Sequence, residues 1–125
     1  PGIIARSDTG LIELDLDGDG DIHTGWVILY LHLGTQHKAP KGKMVEVGDL
    51  LGHPSCEGGE STGSHIHIAR KYNGEWISAA GILPFNLDGW IAHNGSAEYQ
   101  GTLTRYSETV IASVEAEEKS LLSAQ

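Results

Sequence analysis

Apolar residues along the chain occur in short runs that turn residues interrupt about every ten positions. Within these runs Val, Ile, Leu, Tyr and Trp alternate with polar residues or form brief continuous stretches, a pattern typical of β-strands. Many short strands with frequent turns predict a mainly β fold, an antiparallel sheet or sandwich of short strands with long loops. The predicted strand segments are 2–7, 10–16, 25–33, 65–72 and 75–79, with two further short strands within 44–52.

Two dipeptides predict where the chain reverses. Asn73-Gly74 is a strong signal for a two-residue hairpin turn before the segment 75–79. Gly48-Asp49 predicts a tight turn between the two short strands.

The character of the sequence changes at about residue 81. Residues 1–80 are expected to form the core domain. Residues 81–106 are expected to form a loop-rich extension whose scattered aromatic residues pack on that core. The acidic segment that follows, with one Leu pair, predicts a short helix or a disordered tail over 107–125.

Composition narrows the classes of function. The chain has 125 residues, 17 acidic and 8 basic, and a formal net charge of -9. This length fits one domain with a single core. The acidic balance argues against a general nucleic-acid binder or a protein of anionic membranes, since both need a basic surface. No apolar run approaches the roughly 20 residues that span a bilayer, so no membrane insertion is expected.

The chain opens on Pro1 rather than Met, which favours a processed protein or a fragment. Its single cysteine, Cys56, has no partner within the sequence for a disulfide. Either a structural thiol or a thiol whose partner lies outside this sequence fits that observation.

Four aspartates alternate in the segment between the second and third predicted strands. Asp15, Asp17, Asp19 and Asp21 form the opening of a D-x-D-x-D-G calcium loop, in which carboxylates converge on one hard cation. An EF-hand needs a bidentate Glu at the twelfth position, and here that position is Trp26. Two interpretations remain, a calcium-stabilised hairpin loop and a solvated acidic turn.

The seven histidines differ in their surroundings. His32 ends the most apolar strand, where alternation predicts that it shares a face with Tyr30. It would look towards His65 and His67 if the two strands are neighbours. The H-x-H pair alone supplies at most two ligands, whereas zinc sites need three or four. The remaining histidines are expected to be surface or hydrogen-bonded residues: His23, His37, His53 and His93.

A glycine-rich segment, GGESTGS at 58–64, precedes the H-x-H pair. A phosphate-binding loop is excluded, because neither a Walker-type Lys nor a following helix is present. The segment fits a loop of small residues that lets a backbone or an extended substrate pass close to His65.

Several segments occur in an order that resembles the lysostaphin-type zinc endopeptidases, the LytM-like and beta-lytic enzymes. These are Tyr30-Leu31-His32, then VEVGDLLG at 45–52, then STGSHIHI at 61–68. The resemblance covers roughly residues 1 to 78. It implies a LytM-like fold of the duplicated hybrid motif type, a bacterial cell-wall peptide (peptidoglycan) as substrate, and a secreted or cell-envelope location. The segment 88–105 looks like the C-terminal extension of a bacterial subgroup.

The resemblance also implies roles for three histidines. His67 matches a zinc ligand, and His65 matches the catalytic histidine that handles the proton of the metal-bound water. His32 matches the second catalytic histidine, which stabilises the oxyanion of the tetrahedral intermediate.

One departure from the family leaves the function open. The family's H-x-x-x-D motif supplies two more zinc ligands, but here Val27 follows His23 at the spacing where Asp is required. Those ligands lie outside this sequence or have been lost. The first hypothesis is a zinc metalloendopeptidase that hydrolyses peptide bonds in cell-wall cross-bridges or stem peptides. The alternative is a catalytically degenerate binding or regulatory module, with calcium as a possible stabilising ion.

Overall fold

The computed structural model describes residues 1–98, 100–113 and 122, and every regular element in them is a β-strand. The strands form two antiparallel sheets, which confirms the predicted fold class. The chain divides into two compact units, Pro1–Ile77 and Ser78–Gln125. The strands are β1 (Gly2–Asp8), β2 (Gly10–Asp15), β3 (Trp26–Leu33), β4 (Met44–Val45), β5 (His67–Tyr72), β6 (Glu75–Ile77), β7 (Asn86–Leu87), β8 (Trp90–His93), β9 (Thr102–Arg105) and β10 (Glu108–Ile111).

The first unit holds a six-stranded sheet in the order β4-β1-β2-β3-β5-β6. The segment 44–52 forms only one short strand rather than the two expected. Its second half is a turn, in which the Asp49 N–H donates to the Glu46 carbonyl at 3.1 Å. The Asp49 carboxylate also accepts the Glu46 N–H at 3.0 Å, so side chain and backbone together close the turn and end the strand.

One face of this sheet carries the core. Cross-strand partners project to the same face, and Ile4 lies opposite Leu14 while Ile12 lies opposite Tyr30. Ala39 covers this face from the loop after β3, where its N–H donates to the Leu51 carbonyl at 2.8 Å. The buried members of the core cluster are Ile4, Ile12, Leu14, Leu33, Ala39 and Val45.

The opposite face contains a buried carboxylate that the sequence did not reveal. Glu13 in β2 is fully buried, with the Lys71 ammonium 2.5 Å from one carboxylate oxygen. The Arg6 guanidinium lies 3.5 Å from the other oxygen. A buried carboxylate needs such partners, since leaving it unpaired would cost several kcal/mol. This charge group joins β1, β2 and β5.

The hairpin predicted at Asn73-Gly74 is confirmed, and it joins β5 to β6. Both residues have positive φ, 48° and 78°, as a type I′ turn requires. The Asn73 side-chain oxygen accepts the Gly25 N–H at 2.9 Å, and the Asn73 N–H donates to the Gly25 carbonyl at 2.9 Å. The turn is therefore tied to the start of β3.

The second unit holds a four-stranded sheet in the order β10-β9-β8-β7. Within residues 81–106, which were expected to be loop-rich, the structure has three short strands that the sequence did not predict, β7, β8 and β9. These strands are only two to four residues long, too short for alternation to mark them. The packing of 81–106 on the core domain stays a prediction.

Two features hold this sheet together. Asp88-Gly89 forms the turn from β7 to β8, with positive φ at both residues, so this dipeptide was a readable hairpin signal. Trp90 is buried, and the buried Arg105 guanidinium lies 4.6 Å from the centre of its ring. Cation–π contacts of this kind are stabilising, and more so when desolvated.

The expected helix or disordered tail over 107–125 lies mostly outside the described residues. Within them, residues 108–111 form β10 instead, paired with β9. No helix among the described residues has the length and apolar character needed to cross a membrane.

The core cluster predicts a large effect of truncation at Ile12. This side chain is 0% exposed, so Ile12→Ala is expected to lower the free energy of unfolding by about 2–5 kcal/mol. Urea unfolding followed by tryptophan fluorescence measures the change. Val47→Ala is the matched control, because Val47 is 89% exposed and its truncation should change stability by less than about 0.5 kcal/mol. Equal effects of the two substitutions would contradict the assignment of the core.

Candidate functional site

The pairing of β3 with β5 positions the H-x-H histidines. Leu31 in β3 lies opposite His67, the first residue of β5. Ile66 packs against the core cluster, and successive side chains along an extended segment alternate between faces. His65 and His67 therefore both project from the face opposite the core.

His32 occupies a bulge in β3. Leu11 pairs with Leu31 and Gly10 pairs with Leu33, so His32 has no partner across the β2–β3 ladder. Its φ of 66° lies in the left-handed region, which costs a non-glycine residue on the order of 1–3 kcal/mol. Bulges recur beside functional sites because they redirect a side chain.

The bulge brings His32 to His65. The ring centroids are 4.5 Å apart and the ring planes are inclined by 51°. His32 is buried and His65 is exposed. The expectation that His32 shares a face with Tyr30 is wrong. Leu33 packs with Tyr30 in the core cluster, and the extra residue of the bulge moves His32 to the opposite face.

Hydrogen bonds to the backbone fix which ring nitrogen of each histidine carries a proton. The Nδ1 of His32 lies 2.9 Å from the Glu57 carbonyl oxygen, and the Nδ1 of His65 lies 2.8 Å from the Gly63 carbonyl oxygen. A carbonyl oxygen only accepts, so each Nδ1 must donate a proton. In the neutral form of either histidine, Nε2 then keeps its lone pair.

His67 is exposed at the start of β5, on the same face as His65. Tight zinc binding needs three or four ligands. Within residues 1–98, 100–113 and 122, the only three potential ligand atoms that come within 4.8 Å of one another belong to the acidic loop. The described histidines therefore do not by themselves make a zinc site.

The acidic loop between β2 and β3 draws three of its four aspartates together. Ligand atoms of Asp15, Asp17 and Asp19 all lie within 4.8 Å of one another. Asp15 is fully buried and accepts the N–H groups of Asp17 at 3.1 Å and Gly20 at 2.7 Å. Asp21 is not a member of this group. The loop thus gathers three of the four candidate calcium ligands.

Electrostatics distinguish the grouped aspartates from the separate one. The Asp19 N–H lowers the pKa of Asp17, but desolvation and the neighbouring Asp15 carboxylate raise it, and the net shift is upward. The pKa of Asp21 is lowered, because its carboxylate accepts hydrogen bonds from the N–H group and the imidazole of His23. The neighbouring carboxylate therefore contributes to the raised pKa of Asp17, whereas hydrogen bonds from His23 lower the pKa of Asp21.

Three of the other candidate histidines have partners other than His32 and His65. His37 and His53 face each other edge-on with ring centroids 6.4 Å apart. His93 in β8 lies within hydrogen-bonding distance of the Thr104 hydroxyl, at 2.8 Å. Cys56 is exposed and forms no disulfide.

Glu57 is a residue of the site that no sequence motif marks. Its carboxylate accepts the Thr35 N–H at 3.0 and 3.1 Å and the Thr35 hydroxyl at 2.5 Å. These hydrogen bonds lower the pKa of Glu57. Its backbone carbonyl is the group that accepts the His32 ring proton. Glu57 therefore contacts Thr35 through its carboxylate and His32 through its backbone carbonyl.

Comparisons with known proteins identify the fold. No protein-family model matches the chain. Protease LasA from two strains of Pseudomonas aeruginosa is 30% identical over 92 residues, which cover 66% of this chain and 21% of LasA. In structure, the chain is similar to pseudoalterin, an M23 metalloprotease from the deep sea, with a TM-score of 0.69 and 23% identity over 89% of this chain and 65% of that one. The predicted LytM-like resemblance is confirmed.

The chain spans about a fifth of the length of the curated relatives it matches, since 21% of each is covered. The histidines discussed above all fall within its first unit except His93.

The lowered pKa of Glu57 predicts a pH-dependent contribution to stability. Its ordinary value is 4.5, so the ionised side chain stabilises the fold above about that pH. The contribution is lost as pH falls through the lower folded-state pKa. The stability difference between the parent chain and Glu57→Gln should therefore be constant near neutral pH and shrink on acidification below about pH 4.5.

Urea unfolding at a series of pH values measures this difference. Glu60→Gln is the control, because Glu60 is an exposed glutamate three positions further along the same loop. A stability difference for Glu57→Gln that does not change with pH would show that the Thr35 contact does not depend on the charge.

Proposed function

We propose that the LytM-like domain belongs to a peptidoglycan-directed zinc metalloendopeptidase that hydrolyses peptide bonds in bacterial cell-wall cross-bridges or stem peptides. The observation that carries this proposal is the pair formed by His32 and His65, 4.5 Å apart beside the exposed His67. Similarity to a protease over 92 residues supports it. A secreted or cell-envelope location is part of the same proposal, since the substrate lies outside the cytoplasm.

The buried ring of His32 and the exposed ring of His65 suit distinct roles. His65 is exposed and its Nε2 has a free lone pair in the neutral form, so it suits the base that takes a proton from the attacking water. His32 has the same tautomer, so it donates to an oxyanion only once its Nε2 holds a proton. At the oxyanion stage each Nε2 therefore holds a proton: that of His65 comes from the attacking water, and that of His32 must be taken up from solvent beforehand.

The substrate would approach along the loop of small residues at 58–64. Gly59 has a φ of 144°, and a Cβ added there would lie 3.9 Å from the His32 ring. The backbone of this loop therefore runs close to the imidazole without a side chain between them. An extended cell-wall peptide fits this arrangement, because it can lie against open backbone next to the two histidines.

The proposal includes zinc, but the described residues supply only part of its ligand set. His67 is the single described residue matched to a ligand role, and one imidazole is too few for a zinc site. At least two further ligands would have to join it, and among the described residues no third ligand atom comes within 4.8 Å of two others outside the acidic loop. We therefore assign no step of the reaction to the metal on the basis of this chain.

The alternative function is a degenerate LytM-like module that binds cell-wall peptides or regulates a partner hydrolase. The incomplete ligand set favours it. The two functions separate in the natural-length protein: a hydrolase binds one zinc per chain and releases peptide fragments from cell walls. A binding module co-sediments with cell walls but releases nothing.

Substitution of the histidines tests the leading proposal in that natural-length protein. His67→Ala should lose zinc and hydrolysis together. His65→Ala should keep zinc and lose turnover by about 10²–10⁴-fold, the usual contribution of general acid–base catalysis. Metal analysis and release of peptides from purified cell walls measure both effects. His37→Ala is the control, since His37 is an exposed histidine of the same unit. Full activity of His65→Ala would exclude the assigned role.

Calcium binding by the acidic loop remains a proposal of its own. A cation would relieve the repulsion that raises the pKa of Asp17, so the thermal midpoint should rise in millimolar CaCl₂. Differential scanning calorimetry with CaCl₂ or EDTA measures the shift. Asp17→Asn should abolish it, while Asp49→Asn, outside the loop, should not. An identical midpoint in CaCl₂ and EDTA would leave the solvated acidic turn as the correct interpretation.

A further inference from the structure

The tautomer of His32 depends on the position of a single peptide carbonyl, that of Glu57. The distance from this oxygen to Nδ1 is 2.9 Å. A neutral imidazole has one donor and one acceptor nitrogen, and the partner of one decides the state of the other. Anything that moves the Glu57 carbonyl away therefore releases His32 to adopt the opposite tautomer, with the proton on Nε2.

Hydrogen bonds fix the start of the segment that bears this carbonyl. The His32 carbonyl accepts both the N–H of Ser55 at 2.7 Å and its hydroxyl at 3.1 Å. The Glu57 N–H donates to the same hydroxyl oxygen at 3.0 Å. These contacts attach residues 55–57 to the backbone of the bulged residue.

The far end of the segment depends on the Glu57 side chain. Two glycines follow, Gly58 and Gly59, with φ of 83° and 144°, and glycine restricts the backbone least of all residues. Gly58 packs on Gly10, which limits how closely the loop can approach β2. The carboxylate of Glu57 adds a directional contact, because it accepts both the N–H and the hydroxyl of Thr35. Charge-assisted hydrogen bonds of this kind are about twice as strong as neutral ones.

We propose that Glu57 and Thr35 are positioning residues for His32: their contact holds the Glu57 carbonyl at Nδ1 and thereby keeps Nε2 free for the reacting groups. Thr35 lies three residues beyond His32, so the contact closes a ring that runs from the imidazole through Glu57 to Thr35 and back along the chain. The catalytic importance of this arrangement rests on the proposed function. The effect on the tautomer does not.

Imidazole ¹⁵N chemical shifts test the proposal without any need for activity, because a protonated and an unprotonated ring nitrogen resonate far apart. Long-range ¹H–¹⁵N correlation on the chain, at a pH where His32 is neutral, should show Nδ1 protonated and Nε2 unprotonated. Thr35→Val and Glu57→Ala should move the two His32 resonances towards each other as the second tautomer becomes populated. Thr35→Ser keeps the hydroxyl and should restore the parent shifts.

Glu60→Gln serves as the matched control for charge in the same loop, and it should leave the His32 shifts unchanged. Backbone amide spectra establish that each variant is folded. If Glu57→Ala does not fold, Glu57→Gln takes its place, because the amide keeps the size of the side chain and removes the charge that strengthens its hydrogen bonds to Thr35. Unchanged His32 shifts in a folded Glu57 variant overturn the proposal, because a merely structural contact would alter stability but not the tautomer. Thr35→Val removes only the hydroxyl and leaves the Thr35 N–H bound to the Glu57 carboxylate, so its effect should be the smaller one.

In the natural-length protein, the same variants should change kcat and leave KM nearly unchanged, because the tautomer decides whether Nε2 of His32 accepts or donates a proton. A shifted tautomer with no hydrolysis in the parent protein would uphold the positioning role and contradict the hydrolase. Hydrolysis by the parent with the tautomer unchanged in the variants would do the reverse.

Discussion

The register of β3 against β5 is the constraint on which the whole candidate site depends. Leu31 opposite His67 places the H-x-H segment with Ile66 in the core and both histidines outside it. A slip of one residue would reverse every side chain of β5, bury the histidines and expose Ile66. The packing of Ile66 in the apolar core therefore also determines the face from which His65 and His67 project.

A second constraint opposes the regular ladder at one point. The sheet would place His32 on the core face, and the bulge turns it out at the expense of a left-handed backbone. The neighbouring loop offsets that expense with hydrogen bonds to the His32 carbonyl and ring. The regular pairing of β3 with β5 and the bulge between β2 and β3 together bring His32 and His65 into contact.

Much of this could be read from the sequence, and the failures have physical causes. Apolar patterning located the longer strands of the first unit, and Asn73-Gly74 predicted its last hairpin, because both signals are local. The bulge at His32 could not be read, since it follows from the alignment of β2 with β3 rather than from any residue in β3. Glu57 was missed for the same reason: its importance comes from Thr35 and His32, 22 and 25 positions away.

The left-handed backbone at His32 has a consequence for how this protein tolerates change. Glycine is the residue that the local conformation prefers, so the substitution that would relax the backbone is also one that removes the imidazole. In the proposed hydrolase, stability and chemistry therefore place opposite demands on this position. Glycine would relieve the backbone strain and leave the scaffold without its buried imidazole, whereas histidine keeps the imidazole and the strain together.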